Sequence, residues 1–145
     1  MEMEIFGYDF DGVITCGIKP REISDVIITG RCIDEKEYVS KVLRKLGIEN
    51  EVFYNPMFLK DRGNHTYLSR VYSGIHKVET IDKLLKNGIK VTRFFDDDEV
   101  QIKIIKESCS FDIEIVHILS NLIEYWYEKR FKVRTKKTIL WIFRR

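Results

Sequence analysis

The chain has 145 residues, 44% of them hydrophobic and 33% charged, with a formal net charge of +2. That is the size of one domain with one hydrophobic core, and it excludes intrinsic disorder as the main description. Three cysteines (Cys16, Cys32, Cys109) form no disulfide framework, and no Cys/His cluster has the spacing of a zinc site.

The start, Met1-Glu2-Met3-Glu4, is acidic and unlike a secretory signal, and the late apolar run 139–143 is far too short for a membrane span. The expectation is a cytoplasmic protein with reduced thiols and no membrane partner. Residues 4–8 read as a strand, and Val26-Ile27-Ile28-Thr29 as a second, ended by Gly30. A helix is predicted over 34–46, because Val39, Val42, Leu43 and Leu46 fall at helical spacing. Asp34 and Glu37 form a candidate capping box, and Gly47 a stop. A short strand follows at 51–54, closed by Asn55-Pro56, and then an irregular stretch over 57–74. The next helix is predicted over 75–86, with Ile75, Val78, Ile81, Leu84 and Leu85 as its buried stripe. Residues 90–95 read as a strand, 99–107 as a helix and 113–118 as a fifth strand.

This alternation predicts an α/β fold: a Rossmann-like parallel sheet of about five strands flanked by helices. The expected domain spans 1–128. Residues 129–145 form a basic extension with eight Lys or Arg and no acids, interleaved with Phe131, Trp141 and Phe143. Such a tail is a candidate footprint for nucleic acid, or a segment packed on the domain.

In parallel sheets ligands sit beyond the carboxyl ends of the strands. Asp9-Phe10-Asp11-Gly12 follows the first strand, and two carboxylates there point to one side. Converging anions call for a cation, and Mg²⁺ is the hard ion that takes carboxylates and keeps waters for a phosphate. Thr29-Gly30-Arg31, after the second strand, supplies a hydroxyl, a turn and a fixed cation for phosphate oxygens. Lys77 stands near the predicted start of the 75–86 helix. Asp96-Asp97-Asp98 follows the fourth strand and again calls for a metal. Each feature alone has a plainer reading as a turn, cap or solvated charge. Their coincidence at four element ends is the signal.

Taken together, Asp9-Phe10-Asp11-Gly12-Val13, Thr29, Lys77 and Asp96-Asp97-Asp98 resemble the four motifs of the haloacid dehalogenase (HAD) superfamily, in order, over about residues 4–120. Val13 departs from the Thr usual at that position. The resemblance implies a phosphatase in which Asp9 is the nucleophile and Asp11 the acid and base. Thr29 and Lys77 would hold the phosphoryl oxygens. Mg²⁺ would be held by Asp9, the Asp11 carbonyl and Asp97, with Asp96 in support and Asp98 in reserve. Asp11 separates the family's phosphotransferases from its dehalogenases.

No segment is long enough for a cap domain. The spacing is similar to the phosphatase half of polynucleotide kinase-phosphatases, which implies a nucleotide or nucleic-acid phosphate end as substrate. Gly30, Arg31, Arg62 and Arg70, with Lys60 and His65, are candidate substrate contacts. The alternative class is a weakly active or inactive binding module for nucleic acid or a phosphorylated partner.

Overall fold

Alternation of side chains along the strands builds two apolar layers, one on each face of a single sheet. In the computed structural model, which describes residues 2–63 and 66–119, the strands are β1 (Met3–Tyr8), β2 (Val26–Cys32), β3 (Val52–Asn55), β4 (Ile89–Asp96) and β5 (Glu114–His117). Their order is β3-β2-β1-β4-β5, parallel at every pairing. Helices α1 (Lys36–Leu46), α2 (Leu59–Arg62), α3 (Tyr67–Lys86) and α4 (Glu99–Ser108) connect them. On one face Tyr8, Phe10 and Ile27 pack with Val39 and Leu43 of α1. On the other, Ile5, Ile28, Val91 and Phe94 pack with Val78, Ile81 and Leu84 of α3 and Ile105 of α4. The α/β parallel architecture read from the sequence is therefore present. No described helix is long and apolar enough to cross a membrane. The 129–145 extension and His65 lie outside the described residues.

Three local expectations are corrected. First, β2 does not end at Gly30 but runs to Cys32. Gly30 serves close packing: a Cβ there would lie 2.3 Å from the Ser73 hydroxyl of α3. Second, α3 starts at Tyr67, not Ile75, with Thr66 as N-cap accepting from the Ser69 amide at 3.1 Å. Its early buried face is Ser69, Ser73 and Gly74, small residues that hydrophobic periodicity does not register. Third, the turn before α1 is capped by Glu35, which accepts from the Cys32 amide at 2.9 Å. Asp34 instead accepts from the Leu59 amide at 3.1 Å and ties down α2.

Directly before β2, beside the second half of β1, Asp25 clamps β1. Its carboxylate accepts from the Phe6 amide at 2.9 Å, the Tyr8 hydroxyl at 3.1 Å and the Arg21 guanidinium at 3.2 Å. Burial pushes the Tyr8 hydroxyl pKa up to about 12; Asp25 adds to the rise, and Arg21 opposes it. A raised folded pKa contributes stability that is complete below the unfolded value of 10.0 and is lost on the way to about 12. Denaturant melts across that alkaline window should show a falling unfolding free energy in the wild type and a flatter profile in Tyr8→Phe. Parallel profiles would remove Tyr8 as the cause.

Candidate active site at the carboxyl ends of the strands

The winding direction of the sheet reverses between β1 and β4, which are neighbours in space, and such switch points open crevices. The site is built there. Asp9 directly follows β1 and its amide donates to the Phe95 carbonyl of β4 at 2.8 Å. Asp96 ends β4, so the two carboxylates lie side by side. Phe10 turns away into the core. Gly12, at φ 80°, then bends the chain, and its amide donates to the Thr15 hydroxyl at 2.9 Å.

Lys77 reaches this pair from the middle of α3 rather than from a helix start. Its ammonium lies 3.1 Å from Asp9 Oδ1 and 2.8 Å from Asp96 Oδ2, and it also donates to the Gln101 side-chain carbonyl. Lys77 and Asp96 are 0% exposed and Asp9 is 6% exposed. Burial pushes the Asp9 carboxyl well above the usual carboxylate range; Lys77 opposes this, while Asp96, Asp97 and Asp11 reinforce it. Burial alone would lower the Lys77 pKa, but the Asp9 and Asp96 charges outweigh it and keep the ammonium protonated.

Asp97 joins the group from the rim. Asp9, Asp96 and Asp97 offer carboxylate oxygens within 4.8 Å of one another. Fully ionised, three carboxylates against one ammonium would carry an excess of two negative charges, and a cation beside Asp9 would favour its ionised form. An all-oxygen donor set with that excess fits a hard divalent cation such as Mg²⁺. The Asp11 side chain is not in this group.

The third acid of the run has another role. Asp98 caps α4, accepting from the Val100 and Gln101 amides at 2.8 and 3.2 Å. It also takes a two-pronged contact from Arg70 at 2.9 and 3.0 Å. Burial pushes its carboxyl up, but Arg70 and these amides outweigh it and hold the pKa below the ordinary value. That leaves Asp97 and Asp96 as the pair the fold offers to a metal.

The three candidate substrate arginines are all engaged internally. Arg31 grips Asp11 with two contacts of 2.9 Å and reaches Glu35 at 2.7 Å. Arg62 donates to the Gly30 carbonyl, and Arg70 holds Asp98. These residues line a cleft of about 860 Å³, with Asp9, Asp97 and His117 also on its wall. Six carboxylates face three guanidiniums there.

Thr29 and Lys77 are fully buried and lie behind the wall. Thr29 accepts from the Arg31 amide at 3.0 Å and so shapes the strand end. His76 is buried inside α3 with Nε2 at 3.2 Å from the Phe53 carbonyl. Burial lowers its pKa, and Lys77 adds to the shift.

Gln101 and Glu35 are site residues that the sequence reading missed. A cue for Gln101 existed: Asp98-x-x-Gln101 has capping-box spacing. Glu35 stands four residues after Arg31, inside the turn that precedes α1, and carries no motif. The chain matches no family model, no curated protein and no solved structure among those compared.

If the three carboxylates hold a divalent cation, Mg²⁺ raises the melting temperature. A free concentration one hundred times Kd is worth about 2.7 kcal/mol. Asp97→Asn removes most of that shift while the metal-free protein still melts cooperatively, as calorimetry with and without Mg²⁺ would read. An equal Mg²⁺ shift in the variant contradicts the assignment.

Proposed function

We propose that the chain is a Mg²⁺-dependent phosphomonoesterase of the HAD type that works through an aspartyl-phosphate on Asp9. The observation that carries this reading is the buried ion group. Asp9 is held at a strand end by Lys77, among carboxylates whose excess charge suits a divalent cation. A carboxylate so crowded is poorly explained as a stabilising device, because buried ion groups are weak sources of stability.

Asp9 attacks phosphorus, forming a new P–O bond while the bond to the leaving oxygen breaks. Asp11 donates a proton to that oxygen. It then takes a proton from water, which attacks phosphorus and breaks the bond to Asp9, releasing orthophosphate. Arg31 holds Asp11 at the rim, and each Asp11 oxygen retains one further lone-pair direction: a proton carried there passes to the leaving oxygen, and the same position then accepts the proton of the water. Mg²⁺, held by Asp9, Asp96, Asp97 and the Asp11 carbonyl, would offset charge between the nucleophile and the phosphate.

The cleft is open. Only a short 3₁₀ turn (Ile14–Cys16) stands between Asp11 and β2, and no additional domain covers the site among the described residues. That openness favours a large phosphorylated end, such as a nucleotide or nucleic acid. A second reading, a module that binds phosphate and turns over slowly, is favoured by one observation: Asp11 and the three cleft arginines are all paired within the chain.

Hydrolysis of an aryl phosphate separates the two. The enzyme reading predicts turnover that needs Mg²⁺ and falls by at least about a thousand-fold in Asp9→Asn. Phosphate binding without turnover in the folded wild type would support the module instead.

A further inference from the structure

Lys77 carries three N–H donors, and all three are occupied by Asp9, Asp96 and Gln101. Two of these acceptors are carboxylates, and the third is a neutral amide. All three bonds have a charged donor, but only the two carboxylates add the attraction of a full opposite charge. The amide is therefore the partner that exchanges first. It also stands in the right place: Gln101 and Asp9 line the cleft, whereas Lys77 is 0% exposed behind them.

The orientation of the amide is fixed chemically. Its nitrogen donates to Asp98 Oδ2 at 3.3 Å, and its oxygen faces the ammonium. The flipped amide would set an acceptor against the Asp98 carboxylate and donors against Lys77, so only one orientation satisfies both neighbours. Asp98 is gripped in turn by Arg70 on the cleft wall. A continuous chain of contacts thus runs Arg70–Asp98–Gln101–Lys77–Asp9.

We propose that Gln101 is a positioning residue whose side-chain oxygen holds, on Lys77, the place a phosphoryl oxygen takes when the phosphate enters. The inference rests on the phosphatase reading and deepens it. Without a ligand, Gln101 satisfies the third N–H of a buried ammonium. When phosphate enters, the amide gives way to a charged acceptor, while Asp9 and Asp96 keep Lys77 in place. Leaving one N–H of Lys77 on a neutral partner rather than a carboxylate favours the exchange. A third carboxylate at that place would retain the ammonium and resist the exchange.

The test is orthophosphate binding in Mg²⁺, read by calorimetry, for wild type, Gln101→Glu, Gln101→Leu and Gln101→Met. Unfolding curves for each protein identify any variant that is not folded, and the Leu and Met pair guards against the loss of either. Gln101→Glu should weaken orthophosphate by about ten-fold or more, the effect of one charge-assisted bond. The same variant should raise KM for an aryl phosphate more than it lowers kcat. Gln101→Leu and Gln101→Met should bind orthophosphate as well as wild type or better. Equal affinity in all four proteins, or loss in the apolar variants as large as in Gln101→Glu, overturns the inference. A wild type that binds no orthophosphate overturns the phosphatase reading itself, and with it this inference.

Discussion

A fully buried ammonium is the constraint on which the rest depends. Lys77 is 0% exposed and lies within 3.1 Å of both Asp9 and Asp96. Removing one partner from such a group leaves a buried charge uncompensated, at a cost of about 3–5 kcal/mol. The carboxylates therefore need Lys77, and Lys77 needs them. With Asp97 added, the group still carries more negative than positive charge. The same imbalance that makes the site poor as a structural brace suits it to a divalent cation.

The surrounding fold delivers that group to a single point. Parallel strands end on one edge, so Asp9 and Asp96 emerge together from β1 and β4. α3 must lie close to the sheet for a lysine from its middle to reach them. The contact of Ser73 with Gly30 permits this, since any side chain at Gly30 would push the helix away. Asp98 anchors α4 by its cap and holds Arg70, which fixes the distance between α3 and α4 at the cleft. Around this rigid centre the cleft stays open and its arginines stay paired. An anion entering the cleft would meet arginines that are already paired within the chain.

Much of this was legible in the residues. Five apolar runs gave the strands because each is flanked by Gly, Pro, Asn or Asp, and Asp9, Asp11 and Asp96 to Asp98 stood directly after two of them. The first half of α3 was not legible. Ser69, Ser73 and Gly74 face the interior there, and their small size carries no hydrophobic period. Nor could sequence show that Arg31 would settle on Asp11 and Glu35, or Arg70 on Asp98. Those pairings join residues up to 28 positions apart: Arg31 meets Asp11 where β1 and β2 end side by side, and Arg70 meets Asp98 where α3 lies against the start of α4. Nor could the run itself show that Asp98 would serve as the helix cap while Asp96 and Asp97 lie beside Asp9.

The central claim is that Asp9 becomes covalently phosphorylated. An aryl leaving group needs no proton, so Asp11→Asn should still form the acyl phosphate but fail to activate water for its hydrolysis. Rapid acid quench of this variant with Mg²⁺ and an aryl phosphate, followed by peptide mass spectrometry, tests this directly. The account predicts a phosphoryl group on the peptide that holds Asp9, absent when Asp9 is also changed to Asn. A phosphoryl group on another residue, or none at all while the wild type turns over, would contradict it.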